Sequence, residues 1–328
     1  MAILDHWHPV LFSRDLGAKP VGVKLGGREI ALFRTTAGTA AALDDVCPHR
    51  RMRLSLGEVI GDRLQCKYHG WTFGCDGQGE SPGTPKLHAC AASYDVREAH
   101  GAVWVKGRDA NPEFPKFDVD GFLPICTLHH VADAPLELVT DNFCEIEHTP
   151  TTHAVFGYDL ARMAEVTVKF EPTDTTVRVI NAGPAKAINP FLQFLVGIRK
   201  GDHFIDDWTT HFSPVYSVYD HWWADPAGGR ESKVRWRVYI FFTPLDAKRT
   251  ELRTFAFAKS NWPGPAGGLR LFRWLMRKHL DREIGFDLAI LKGMAVLDPS
   301  LDGMKLSRFD KALGLNRERI ERVYRGAV

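Results

Sequence analysis

Cys47-Pro48-His49-Arg50, answered further on by Cys66-Lys67-Tyr68-His69-Gly70-Trp71, decides how this chain is read. Each half offers one thiolate and one imidazole. Two sulfurs and two nitrogens either close a tetrahedral zinc site or hold a two-iron cluster, with the cysteines on one iron and the histidines on the other. Zinc sites of Cys2His2 type usually group like ligands in sequence, whereas here each half mixes the two kinds. Mixed halves suit two loops that each reach both irons. Pro48 stiffens the first loop and Gly70 lets the second turn sharply, so both are expected at hairpin tips. The reading is a Rieske [2Fe-2S] centre held by Cys47, His49, Cys66 and His69.

The flanks of the motif are β-type. Val21 to Leu25, Glu29 to Arg34, Ala40 to Leu43, Arg63 to Cys66 and Ala102 to Val105 read as short strands, with Gly26-Gly27 and Asp76-Gly77 as hairpin turns. Residues 1–110 are therefore expected to form an all-β cluster domain. A chain of 328 residues, 45% apolar and 11% aromatic, has material for a second core. A formal charge of +2 gives no bias towards nucleic acid or membrane. The remaining cysteines, Cys75, Cys90, Cys126 and Cys144, show no framework spacing and suit reduced thiols in a cytoplasmic protein. Neither a signal peptide nor a membrane-spanning segment is read.

Positions 111–124, rich in proline and acidic residues, read as a linker, and 125–328 as a catalytic domain. There, on a helix, Asp141, Glu145 and His148 would share a face, being four and three residues apart. Pro150 is expected to break or bend that helix, so that His153 swings back beside His148. Alternating runs between Glu165 and Lys259 favour a large antiparallel sheet. Ala182 to Asp206 reads as a loop or short helical lid. After Pro263-Gly264-Pro265, the stretch Leu269 to Met294 has the apolar spacing of a long amphipathic helix. On its packed side lies Asp287, where an unpaired charge would be costly without a cation. His148, His153 and Asp287 thus make a candidate 2-His-1-carboxylate iron site, with Glu283 as the reserve carboxylate.

The two motifs together resemble the oxygenase component of the Rieske non-haem iron oxygenases, in particular the phthalate, vanillate and dicamba oxygenase type. Cys-Pro-His-Arg with Cys-x-x-His-Gly-Trp matches the cluster motif, and Asp141-Asn142-x-x-Glu145-x-x-His148-x4-His153 matches the iron motif. Asp287-x-x-Ile290-Leu291 resembles the later carboxylate motif. The resemblance implies an α+β fold, a β-rich Rieske domain followed by a helix-grip catalytic domain, assembled head to tail as a homotrimer in which one subunit's cluster feeds its neighbour's iron. Glu145 stands where the family commonly has Asp, at the residue that couples the two centres. A mononuclear Fe(II), dioxygen, and NAD(P)H electrons delivered by a separate reductase or ferredoxin are likewise implied.

The expected activity is hydroxylation or oxidative demethylation of a small aromatic or cyclic molecule. A Rieske electron carrier without catalysis is the alternative, although it would have no use for His148, His153 and Asp287. Phe191, Phe194, Phe204, Trp208, His211, Trp222 and Trp223 are candidates for a pocket or for core. Arg50, Arg51, Arg53 and Lys67 crowd the cluster loops and are a candidate docking patch for the reductase.

Overall fold

The computed structural model describes residues 2–263 and 268–327. The chain divides into two compact units, Met1–Pro115 with Thr243–Ala247, and Lys116–Phe242 with Lys248–Val328. In the first unit the strands are β1 His8–Phe12, β2 Val21–Leu25, β3 Arg28–Arg34, β4 Ala40–Asp44, β5 Glu58–Ile60, β6 Arg63–Gln65, β7 Thr72–Phe73, β8 Gln78–Glu80, β9 Ala89–Cys90, β10 Ser93–Ala99 and β11 Ala102–Gly107. They form a six-stranded sheet in the order β1-β11-β10-β4-β3-β2 and a five-stranded sheet in the order β5-β6-β7-β8-β9. Gly26 and Gly27 turn β2 into β3 with φ of +56° and +84°, backbone that side chains with a Cβ rarely adopt. Phe33, Leu43, Leu54, Leu64 and Phe73 share one core with Cys47, Cys66 and Trp71, so apolar packing anchors the cluster loops from beneath.

The second unit adds β12 Leu123–Ala132, α1 Leu136–Phe143, α2 Thr149–Thr152, β13 Thr167–Pro172, β14 Thr176–Pro184, α3 Pro190–Val196, β15 His203–Phe212, β16 Val215–Ala224, β17 Val234–Asp246, β18 Arg249–Ser260, α4 Leu269–Gly293 and α5 Lys311–Arg319. Its sheet is antiparallel and seven-stranded, ordered β12-β18-β17-β16-β15-β14-β13. Along β15, Phe204, Asp206, Trp208, Thr210 and Phe212 are buried while the residues between them are partly exposed, the period of two expected of a strand with one covered face. Helices α1 and α4 pack on the β12–β18 side, and α5 against α1 and β14. α4 runs over the anticipated stretch and buries Leu280, Glu283, Ile284, Asp287 and Leu291 at helical spacing. Gly264 and Pro265, part of the break read before it, lie outside the described residues. Of the segment read as a lid, only Pro190–Val196 is helical; its two ends extend β14 and begin β15. Among the described residues no helix is long and apolar enough to cross a membrane.

Candidate metal centres

The first cluster loop follows β4 and the second joins β6 to β7. Both are tight: the Cys47 N–H donates to Met52 O (2.8 Å) and the Arg51 N–H to Cys47 O (2.8 Å), while the Cys66 N–H donates to Trp71 O (2.7 Å) and the Gly70 N–H to Cys66 O (3.1 Å). Gly70 has φ +71°, the turn its sequence position suggested. Like donors meet across the loops. The His49 and His69 rings lie 4.4 Å apart between centroids, and the Cys47 and Cys66 thiols interact directly. Both thiols are buried, and burial pushes that of Cys47 up to about 11. Trp71 stacks on His49 at 4.6 Å and covers one side of the imidazole. Two sulfurs together and two nitrogens together is the donor arrangement a [2Fe-2S] group of Rieske type needs.

The second group forms in the other unit. α1 does not extend to His148, because it ends at Phe143, whose carbonyl accepts from the Tyr219 hydroxyl at 2.6 Å. Glu145 and His148 therefore sit on a loop rather than on the helix with Asp141. Asp141 turns away to Arg317, which reaches it through Nε at 3.1 Å and through Nη2. Nor does Pro150 break a helix. It lies at the start of the one-turn helix Thr149–Thr152, where its missing N–H costs nothing. His148 caps that turn and His153 follows it, so one helical turn brings the two rings together, 4.9 Å between centroids.

The Nε2 atoms of His148 and His153 are 3.0 Å apart, and Asp287 Oδ1 lies 3.2 Å and 3.5 Å from them. Such an arrangement offers a metal one ligand atom from each residue, all within 4.8 Å of one another. Both outward nitrogens face carboxylates, that of His148 through a hydrogen bond and that of His153 at ion-pair distance without hydrogen-bond geometry. His148 Nδ1 hydrogen-bonds Glu145, whose other oxygen accepts the Glu147 N–H, and His153 Nδ1 lies 3.0 Å from Glu283 Oε2. Carboxylates on both Nδ1 atoms favour the tautomer with the Nε2 lone pair facing inward. Asn142 Nδ2 donates to Asp287 Oδ1 at 3.1 Å and orients it. Burial alone would lower the pKa of His148, yet its hydrogen bonds to Asp287 and Glu145 carry it up to about 10. Two imidazoles with one carboxylate are an iron(II) donor set, and a divalent cation there would take the place of that proton.

Glu283, the reserve carboxylate, thus stands outside the converging atoms and holds His153, while both its oxygens accept the Ala154 N–H at 3.1 and 3.2 Å. Sequence reasoning gave no role to Asn142 or Lys186. Lys186 Nζ donates to the carbonyls of Thr149 (3.3 Å), Pro150 (2.9 Å) and His153, which fixes the turn between the histidines. Asn142 was within the quoted motif; Lys186, on another strand's exit, carried no local signal.

A cavity of about 80 Å³ adjoins the triad. A second, of about 290 Å³, shares Phe156 and Leu280 with it. α3 and the first half of α4 form one wall of the larger cavity, with Leu192, Phe194, Phe272 and Met276, and the sheet supplies Trp223 and Trp236. Of the aromatic residues considered for a pocket, Phe194 and Trp223 line the larger cavity and Phe204 the smaller. Phe191 is on an outer cleft, while Trp208, His211 and Trp222 line neither cavity.

Comparison with known proteins adds two family matches in tandem: a Rieske [2Fe-2S] domain over residues 6–95 and a vanillate O-demethylase oxygenase C-terminal domain over residues 132–281. An iron-sulfur domain followed by an oxygenase catalytic domain defines the class. The chain belongs to the Rieske oxygenases, as an alpha component. It is 30% identical to Protein TIC 55 of Arabidopsis thaliana over 53% of its own length and 35% of that protein. To the oxygenase component of chloroacetanilide N-alkylformylase from Rhizorhabdus wittichii it is 30% identical over 68% of its length and 63% of that protein. The chain thus spans about a third of the first of these relatives and under two thirds of the second. Dicamba monooxygenase bound to 3,6-dichlorosalicylic acid shares the fold with a TM-score of 0.82 at 18% identity, over 98% of both chains. So does Pseudomonas putida CBB5 NdmA with caffeine, with a TM-score of 0.74 at 20% identity over 98% of this chain and 92% of that one.

Proposed function

We propose that this protein is an oxygenase that takes NAD(P)H-derived electrons from a separate reductase or ferredoxin and uses dioxygen to hydroxylate or oxidatively demethylate a small aromatic or cyclic molecule. The observation that carries the reading is the meeting of His148 Nε2, His153 Nε2 and Asp287 Oδ1 in the same chain as the paired Cys and His loops. In this reading Cys47, His49, Cys66 and His69 hold the cluster, and His148, His153 and Asp287 hold a mononuclear iron. Bound there, the cluster supplies single electrons and the ferrous ion supplies reductive activation of dioxygen.

The chain's own residues prepare that chemistry. Glu145 and Glu283 keep the imidazoles in one tautomer, and Asn142 fixes the carboxylate so that a face of the site stays open. Phe156, Val238, Ile240 and Leu280 give the small cavity apolar walls that limit water beside the reacting carbon. The vanillate O-demethylase oxygenase subunit of Pseudomonas and the NdmA–caffeine structure are the relatives whose names point to demethylation and a cyclic ligand. We place the enzyme in a homotrimer, where Glu145 couples one subunit's cluster to its neighbour's iron, and in the cytoplasm, which suits six free cysteines. The test is anaerobic reconstitution with iron and sulfide, followed by incubation with a surrogate reductase and a panel of aromatic, methoxylated and terpenoid compounds. Substrate-dependent product carrying oxygen from labelled dioxygen is expected. A cluster that reduces and reoxidises with no oxygenated product from any compound would leave only electron transfer.

A further inference from the structure

We propose that the cavity beside the His148–His153–Asp287 group selects an uncharged amphiphile, a molecule with a bulky apolar body and one hydroxyl or N–H donor near its reacting carbon, and that His221 receives the donor. The inference rests on the oxygenase reading and adds to it the class of substrate.

Shape is the first argument. A molecule reaching the triad occupies the small cavity, and the larger one beyond the shared Phe156 and Leu280 lies next in line for the rest of it. Aliphatic and aromatic side chains line that larger space, with His279 the only ionisable lining residue among the described residues. At about 290 Å³ it lies near the lower end of the ~300–1,000 Å³ of small-molecule pockets, room for a compact ring system.

Charge is the second. Glu145, Asp206, Glu283 and Asp287 all line the small cavity, and no lysine or arginine lines either cavity among the described residues. Four carboxylates outnumber the positive charges of a divalent ion. A carboxylate or sulfonate next to the reacting carbon would be buried among like charges without a partner. Arg282 borders only the outer cleft.

The third argument is one leftover polar atom. Asp206 on β15 stands directly opposite His221 on β16, as Phe204 stands opposite Trp223, so all four share the covered face. His221 Nε2 is 2.9 Å from Asp206 Oδ1, and an ionised carboxylate there makes Nε2 the protonated nitrogen. His221 Nδ1 is then a lone-pair acceptor, and it is buried with no hydrogen-bond partner among the described residues. Other polar groups of this cavity have neighbours of their own: the Tyr219 hydroxyl has Phe143 O, the Thr149 hydroxyl Ile146 O, and the Glu145 carboxylate His148 and the Glu147 N–H, while His153 Nδ1, which also lacks a hydrogen bond, faces the Glu283 carboxylate at 3.0 Å. Phe156 and Phe204 flank the His221 ring at 4.9 and 5.5 Å, which fixes its plane. A buried acceptor of this kind is satisfied by a donor on the bound molecule.

The test is calorimetric titration of the reconstituted full-length protein with 4-cyclohexylphenol, 4-cyclohexylanisole and 4-cyclohexylbenzoate, which share a body and differ in the polar group. The phenol should bind about tenfold more tightly than the anisole, the cost of leaving His221 Nδ1 without a donor, and the benzoate should bind most weakly. His221→Phe should close the phenol–anisole gap because the phenol loses affinity. Asp206→Asn should close it from the other side: its amide can donate to Nε2, moving the ring proton to Nδ1, so the anisole oxygen gains a donor. Benzoate binding as tight as that of the phenol, failure of all three to bind, or a phenol preference that survives both variants would overturn the proposal. Binding needs no turnover, so the expected pattern without any product would count against the oxygenase reading alone.

Discussion

Glu283→Gln separates a residue that positions a ligand from one that is a ligand. Glu283 lies four residues before Asp287 on α4 and is 2% exposed, so no water replaces what it provides. Its carboxylate sits 3.0 Å from His153 Nδ1 and accepts the Ala154 N–H, tying the ring and its backbone to α4. Glutamine keeps the length but can turn its amide N–H towards Nδ1, which moves the ring proton to Nε2 and takes away the lone pair that faces Asp287. Loss of such an outer partner lowers metal affinity about 10–100-fold, or ~1.4–2.7 kcal/mol. The alanine variant should in addition cost about 1 kcal/mol of stability, because it removes the acceptor of the half-buried Ala154 N–H. Anaerobic competition against a chelator, with Fe(II) or Co(II), measures the affinity, and the visible absorbance of the cluster serves as an internal check that the other unit is intact. An unchanged affinity would refute the positioning role. Complete loss of the metal in this variant, with the metal retained in Asp287→Ala, would make Glu283 the ligand.

Glu145→Gln should keep both metals and the Rieske spectrum yet slow substrate-dependent oxidation of the cluster in stopped flow; loss of the mononuclear iron would show Glu145 to be a ligand instead. Asp141→Asn should leave the iron in place but lower stability by about 3–5 kcal/mol in chemical denaturation, because Arg317 is left buried without its charge partner; a fall in iron content with unchanged stability would return Asp141 to the site. Reduction of the cluster by its reductase should slow steeply as salt rises, and Arg51→Glu with Lys67→Glu should flatten that dependence. Arg50, Arg51 and Lys67 are exposed, whereas Arg53 is partly neutralised 3.7 Å from Glu29; a rate indifferent to salt and to charge reversal would make the patch an ordinary solvated rim.

What the sequence discloses here is what short-range chemistry decides. Each half of the cluster motif is a self-contained loop, and its Pro48 and Gly70 speak for the turns themselves. Strands such as β3 and β17 declare themselves by apolar runs, whereas β12 holds Pro124, His129 and His130 in a mixed pattern that gives no strand signal and begins within the stretch read as linker. Helical spacing misled around His148. Asp141, Glu145 and His148 are correctly placed for one face, but Tyr219, 76 positions away, takes the Phe143 carbonyl and the helix stops. Pro150 then opens a new turn, an outcome its neighbours alone do not decide. The partners of Asp141 and His153, Arg317 and Glu283, are also tertiary, as is the Asp206–His221 pair, whose register depends on how β15 meets β16.

Iron and acid-labile sulfide counted per chain, in the wild-type protein and in Asp287→Ala, bear most directly on the two-centre reading. The wild type should carry two irons and two sulfides in the cluster and one further iron, and the variant should lose that further iron alone while keeping the sulfide and the Rieske spectrum. Zinc in place of iron with no labile sulfide, or a variant that retains every iron, would contradict it.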